Sequence, residues 1–230
     1  MKQERLAQRV RLVQRGETGS TGETGPMILT FNSSKTITLL INLNNGTDAS
    51  GVKVDWGDGN QIAYTIGQDI SGTIVGTLIV KIYGNFTVFG TGGPALNNVR
   101  PRAIGTWDGG ALVSVNSWGL NTMLEVLSAS FYLCTALVSV PATLPSTVRS
   151  MPDLFNGCTS FDQSLSGWDV SNVTSMIGMF KNSSSLYSNN LFKYDLTGWN
   201  INNVTSYSYF FSPDGSTDTT TTDPKSPFMS

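Results

Sequence analysis

The second half of the chain repeats itself, and a repeat limits what a chain can fold into more tightly than composition does. Ala111-Leu112-Val113-Ser114-Val115 returns unchanged as Ala136-Leu137-Val138-Ser139-Val140, 25 residues later. Phe131-x-x-Cys134-Thr135 returns as Phe155-x-x-Cys158-Thr159, 24 later. Val148-x-x-Met151-x-x-x-Phe155 returns as Val173-x-x-Met176-x-x-x-Phe180, 25 later, and as Val204-x-x-Tyr207-x-x-x-Phe211, 31 later. The longer interval has its extra residues in 187–196. Trp168 and Trp199 mark equivalent places in Gly167–Val173 and Gly198–Val204. A unit of this size cannot bury its own apolar face, whereas stacked units share one core. The spacing predicts a solenoid over 96–212, with a degenerate first unit near Val99–Val115. Its core comprises Val148, Met151, Phe155, Trp168, Val173, Met176, Phe180, Trp199, Val204 and Phe211. Val148/Val173/Val204, Met151/Met176/Tyr207 and Phe155/Phe180/Phe211 are each expected to be buried at one level of successive turns.

A period near 25 residues is that of a leucine-rich-repeat-type solenoid, in which each unit gives a short strand and an irregular return. Cys134 and Cys158 then lie at one level of adjacent turns, close enough for a disulfide. A ladder of buried thiols is the preferred alternative, since Cys is commonly buried as a small apolar residue; Ser183 or Ser184 replaces it in the next unit.

Charged residues make up only 13% of the 230, and the formal net charge is -2. Gly, Ser, Thr and Asn fill the deficit, which favours strands and turns over exposed helices. The acidic balance argues against nucleic-acid binding. There is no histidine, which excludes His-based general bases, Ser-His-Asp and Cys-His nucleophiles and most zinc sites. Two cysteines are too few for a disulfide scaffold. No catalytic residue, metal site or cofactor is expected. No stretch reaches the ~18 apolar residues of a membrane span. The opening MKQERLAQRVRLVQR lacks the apolar core of a secretory leader, which predicts either intracellular synthesis or another route of export.

Residues 1–15 carry five basic side chains against Glu4. Leu6, Val10 and Val13 fall at heptad-like spacings of four and three. The segment is either a frayed basic tail or a helical anchor in which Arg5, Leu6, Arg9, Val10 and Val13 make the assembly contacts. In 16–27, Gly16, Gly19, Gly22 and Gly25 recur at every third position. That is the collagen period, required where three chains meet at an axis that admits only Gly; a flexible Gly/Thr linker is the alternative. Beside a coiled-coil starter, the unbroken period favours a stalk and a parallel homotrimer. The stalk is too short to hold three chains alone, and the flanking segments are expected to help.

From 28 to 95 the pattern becomes that of short strands. Ile37, Leu39, Ile41 and Leu43 alternate with Thr36, Thr38 and Asn42, as do Val52, Val54 and Trp56 with Lys53 and Asp55, and Leu78, Val80 and Ile82 with Lys81 and Tyr83. Phe86–Phe89 follows a Gly-Asn turn. These read as a small antiparallel sandwich. The segment 213–230 is Thr-rich with little apolar content, which predicts an irregular or peripheral tail.

Two stretches resemble known families. Val54-Asp55-Trp56-Gly57-Asp58-Gly59-Asn60 is similar to the W-G-D-G turn of PKD-like domains, which are immunoglobulin-like sandwiches; Leu78 stands where that family has an aromatic residue. Asp55 and Asp58 lack the further oxygen ligands of a calcium loop and read as turn formers. Trp168–Phe180, WDVSNVTSMIGMF, resembles the repeats of BspA-like surface leucine-rich-repeat proteins, as does the preceding LFNGCTSFDQSLSG. The resemblance runs over roughly 75–212. It implies extracellular attachment or a structural role without enzymatic activity, in bacterial surface proteins or viruses of microbes.

Three functions follow for test. The first is a non-enzymatic virion fibre or spike, docked through its N-terminus on a capsid or tail protein. It would project the repeats toward a host-surface glycan or protein from the virion surface. The second is a secreted bacterial adhesin on the cell surface. The third is a glycan depolymerase, for which Asp153, Asp162 and Asp169 are the available carboxylates, although no acid/base pair stands out. Tyr187, Tyr194, Tyr207 and Tyr209 are of the kind that stacks on sugars, with core or trimer-interface positions expected for at least half.

Overall fold

A computed structural model of the chain describes residues 25–34, 36–39, 52–65, 70–90, 110–188, 191–214 and 216–229. Arg5, Leu6, Arg9, Val10 and Val13 of the basic segment, and Gly16, Gly19 and Gly22 of the glycine period, lie outside the described residues.

The protein is mainly β. Its strands are β1 (Met27–Ser33), β2 (Thr36–Leu39), β3 (Val52–Asp55), β4 (Gln61–Tyr64), β5 (Ile70–Thr73), β6 (Gly76–Tyr83), β7 (Leu112–Trp118), β8 (Tyr187–Ser188) and β9 (Leu191–Phe192). Among the described residues the only helical element is a 3-10 turn at Ser184–Leu186. Five strands form one antiparallel sheet in the order β4-β3-β6-β1-β7. Alternation sets its faces. Met27, Leu29 and Phe31 of β1 turn inward with Val80 and Ile82 of β6 and with Leu112, Val115 and Trp118 of β7. A second antiparallel pair, β2-β5, adds Ile37, Leu39 and Ile70 to the same core.

The W-G-D-G turn closes β3 onto β4. Asp55 Oδ1 accepts the N–H groups of Gly57 (2.8 Å) and Gly59 (2.9 Å), and Asp58 Oδ1 accepts that of Asn60 (2.9 Å). Both glycines have positive φ, 96° and 87°. Trp56 is half-buried and donates from Nε1 to the Tyr64 hydroxyl at 3.1 Å. A Cβ on Gly72 would strike the Trp56 ring, so β5 passes close against that side chain.

Beyond β7 the chain winds in coils whose strands are single parallel bridges: Val88 to Val126, Val126 to Ser150, Ser150 to Ser175 and Ser175 to Ser206. Backbone bonds tie each coil to the next. Leu127 N–H donates to Ser150 O (2.8 Å), Met151 N–H to Ser175 O (3.0 Å) and Met176 N–H to Ser206 O (2.8 Å). Inside runs a column of rings. Phe131 lies 5.7 Å from Phe155, Phe155 is stacked on Phe180 at 5.8 Å, and Phe180 lies 6.0 Å from Phe211.

The sheet and the coils exchange elements. Phe86–Phe89 supplies the first bridge of the stack through Val88 rather than a strand of the sheet. Ala111–Val115, the first copy of the repeat, lies largely within β7 of the sheet, and its Ser114 also bridges Ser139 of the next copy. Met27, assigned from sequence to the stalk, is the first residue of β1, paired with Ile82 and Trp118. One apolar core, from Met27 to Phe228, runs through both parts.

Candidate functional site

Val148, Met151, Phe155, Trp168, Val173, Met176, Phe180, Trp199 and Phe211 are all buried, and Val204 is half-buried against them. Tyr207 departs from the expected level. It is 37% exposed and stacks on Phe228 of the C-terminal segment at 4.2 Å, ring planes 9° apart. The cause is the end of the stack: among the described residues no bridge follows Ser206, and the tail covers this position instead.

Several polar side chains on the coils bond neighbouring coils. The tryptophan indoles reach neighbouring turns, Trp118 Nε1 donating to Thr143 O (2.8 Å), Trp168 to Pro141 O (3.0 Å) and Trp199 to Leu165 O (3.1 Å). Asn172 Nδ2 donates to Ser146 O and, one coil on, Asn203 Nδ2 to Ser171 O. Cys158 Sγ donates to Phe131 O (3.0 Å), and Ser183 Oγ, in the same place a coil later, donates to Phe155 O. Cys134 and Cys158 are buried thiols, not joined as a disulfide. Burial first, and then the neighbouring Cys134, push the Cys158 thiol well above its ordinary range.

The carboxylates considered for chemistry are each held locally. Asp162 accepts Lys193 Nζ at 3.0 Å and the Tyr194 hydroxyl at 3.0 Å, and the bond from Lys193 is the main reason its acidity is raised. Asp169 Oδ1 accepts Ser171 N–H at 3.0 Å; Ser171, through its hydroxyl and then its backbone, holds Asp169 below the usual range. Asp153 accepts Asn156 Nδ2 at 2.8 Å, and burial pushes it above the usual range against the pull of Asn156 and Lys181. These are turn and bridge roles. Among the described residues no three of Cys, Asp and Glu gather as a metal ion would require.

The four tyrosines divide. Tyr187 is largely enclosed, donating to Phe180 O (3.0 Å) and accepting Ser212 N–H (3.1 Å); burial raises its hydroxyl strongly. Tyr194 is tied to Asp162. Tyr207 lies on Phe228. Tyr209 is 42% exposed, with Lys181 Nζ 5.1 Å from its ring centre. Tyr209 is therefore the one of the four whose ring combines exposure with an adjacent cation.

Sequence reasoning missed two features. The first is a left-handed residue recurring in the coils, paired with a second in three of them. Ala129, Asp153, Gly178 and Tyr209 occupy one position, and Leu133, Gly157 and Asn182 another, all with positive φ between 52° and 75°. Gly, Asn and Asp recurring at 24–25-residue intervals was the available signal. The second is the tail. Thr220, Asp223, Ser226 and Phe228 are buried. Thr219 N–H donates to Phe211 O (2.9 Å), Thr220 Oγ1 accepts Phe211 N–H (3.1 Å), and Asp218 Oδ2 accepts Tyr209 N–H (2.9 Å). Side chains and backbone of the tail thus satisfy groups that a further coil would have satisfied. The tail expected to be irregular or peripheral is irregular in its described residues, with no strand or helix, but those residues are packed as a cap rather than peripheral. The insertion at 187–196 likewise enters the core, forming the β8-β9 hairpin and stacking Phe192 on Phe211 at 4.3 Å.

Fold and surfaces together define a mainly β protein in which an antiparallel sheet carries a stack of repeated coils. Residues 126–221, which comprise most of the stack and part of its cap, match a family described as "Mycoplasma protein of unknown function, DUF285". Comparison with curated proteins and with solved structures gives no match.

Proposed function

We propose that the chain is a non-enzymatic structural protein of a virion, a trimeric fibre or spike, displaying a BspA-like leucine-rich-repeat solenoid beyond a small PKD-like sandwich. The observation that carries the reading is the use of polar residues in the coils. Asp153, Asp162, Asp169, Asn172 and Asn203 hold turns and join coils, which suits a rigid projecting element. In this reading the basic helical segment 1–15 docks on an acidic capsid or tail protein, since opposite charges steer such contacts. The glycine period winds three chains together. The repeats face outward toward a host-surface glycan or protein. No nucleic acid, cofactor or membrane span enters the mechanism; no helix among the described residues is long and apolar enough to cross a membrane.

A second reading, a bacterial surface adhesin of the same repeat type, draws support from the bacterial description of the matching family. Immunogold labelling with antibody to 110–212 separates the two. Label on purified virus particles supports the fibre. Label on bacterial surfaces supports the adhesin. Label confined to cell interiors overturns both.

A further inference from the structure

We infer that Leu120, with the rigid loop Gly119–Met123 around it, is the contact by which three copies of this chain meet at the base of the stalk. The inference rests on the trimeric reading above and names the surface that completes it.

The glycine period ends at Gly25, where the described chain begins. In a collagen-type helix every third residue lies at the crowded common axis, so three Gly25 residues would be packed side by side. Leu120 is fastened to that point. Its N–H donates to Gly25 O at 2.9 Å, and its Cγ lies 4.0 Å from where a Cβ on Gly25 would be. Whatever brings three Gly25 residues to one axis therefore brings three Leu120 side chains within a side chain's reach of it. Leu120 is 56% exposed within a single chain, and its burial against two copies of itself is favourable.

The surroundings fit self-association. A threefold contact sets each residue near its own copies, so any charge would face its like. No Asp, Glu, Lys or Arg occurs in Ser117–Leu124 or in Tyr83–Phe89, the segment bonded to the loop; Lys53, paired with Tyr83, stands on the far side of β6 from β1. The loop is held in place before any partner arrives. Asn121 Nδ2 donates to Phe86 O (2.7 Å), Asn121 Oδ1 accepts Met123 N–H (3.0 Å), and Asn85 Oδ1 accepts Thr122 N–H (3.3 Å). Gly119 has φ +70, and a Cβ there would lie 2.6 Å from Met27 N. A stalk too short to associate firmly alone gains an apolar layer at the place where the chains leave it.

Cross-linking of the full chain tests this. The native thiols Cys134 and Cys158 are buried, so a cysteine introduced on the surface can be addressed separately. Leu120→Cys treated with a short bis-maleimide should give covalently linked pairs of chains on a denaturing gel. Val75→Cys should not. Val75 is 74% exposed but precedes Gly76, which pairs with Ser33 at the far end of β1, about 20 Å from Met27 at ~3.3 Å per residue. Leu120→Asp should raise the concentration at which the full chain trimerises at least tenfold, and leave unchanged the melting of the full chain below that concentration. A trimeric full chain whose Leu120→Cys form does not cross-link overturns this inference and leaves the trimer standing. A monomeric full chain by light scattering overturns the trimer, and the inference with it.

Discussion

In the sheet, apart from the β3-β4 hairpin, neighbours in space come from distant and unlike parts of the chain. β1 lies between β6 and β7, and Thr30 donates to Asn116 across 86 residues. The pairing of β1 with β7 shifts register twice within five partners. In the coils the bridging contact recurs at the coil length: Val126 to Ser150, Ser150 to Ser175 and Ser175 to Ser206 are the same bridge three times. The sheet is thus specified once, by non-local pairs, and the stack repeatedly, by nearest neighbours. A defect in the sheet has no second copy of the contact to fall back on. A defect in one coil leaves the same contact intact in the next.

The largest effect that tests this contrast is a matched pair of holes. Phe180 is buried among Phe155, Phe192, Phe210 and Phe211, at 4.9–6.0 Å between ring centres. Phe31 is equally buried in β1. Each substitution by Ala should cost about 3–5 kcal/mol. Hydrogen exchange should separate them. Phe180→Ala should release the amides of Met151, Asp153 and Phe155, which bond forward to the next coil, while β1 and β6 stay protected. Phe31→Ala should release the whole five-stranded sheet together. Equal loss everywhere in both variants would make the molecule one cooperative unit and end the distinction.

Next comes the cap, where the stack stops repeating. The buried Asp223 accepts Phe192 N–H at 2.7 Å and Lys225 N–H at 2.9 Å. Asp223→Ala leaves a buried donor unmatched and should cost about 1–3 kcal/mol. Asp223→Asn keeps an acceptor and should cost less. Urea melts of the two variants check the order, and equal losses would deny the carboxylate its part in closing the stack.

The contrast also explains what the sequence made legible. Repetition makes Phe155, Phe180 and Phe211 visible as one level, because the same spacing must satisfy the same coil. Alternation shows β2, β3 and β6 in the same way. Neither signal reports an end. Spacing makes Tyr207 another Met151, because spacing alone does not show where the bridges stop; Phe228 covers it. Asp218, Thr220 and Asp223 looked like tail composition because their role, accepting N–H groups from Tyr209, Phe211 and Phe192, exists only in three dimensions. Ala111–Val115 was counted with the repeats on its identity to Ala136–Val140, yet it lies at the join, paired with β1 on one side and with the coils on the other. Local pattern cannot assign a segment that serves two neighbours.

A smaller effect separates two glycines of the sheet region. Gly119 (φ +70) would place a Cβ against Met27 N, Gly25 O and the Pro26 carbonyl carbon at 2.6–2.8 Å, whereas Gly59 (φ +87) faces open space. Gly59→Ala should cost about 1–2 kcal/mol, the ordinary strain of a left-handed residue. Gly119→Ala should cost more, since backbone on both sides must give way. Thermal melts showing the reverse order would remove Gly119 as a fixed point of the loop below the stalk.

The smallest effect lies within the stack, between two copies of one turn. Asp169 Oδ1 accepts Ser171 N–H at 3.0 Å, and at the equivalent place Asn200 Oδ1 accepts Asn202 N–H at 3.2 Å. The two turns make the same bond, but only Asp169 titrates. Its acidity is strengthened in the folded protein by the hydroxyl and backbone of Ser171. A carboxyl whose folded pKa lies below its unfolded one binds protons more readily when the chain is open. Its contribution is therefore complete above the unfolded pKa and fades as pH falls through the folded one. Asp169→Asn converts this turn into a copy of its neighbour. The variant should be slightly less stable than the parent at pH 7, and the gap should narrow as pH falls through the carboxylate range, the parent losing stability faster. Asn200→Asp should create the opposite change, adding acid sensitivity where there was none. A gap between parent and Asp169→Asn that stays constant from pH 7 to pH 3 would show that the two turns differ in something other than the charge of their first residue.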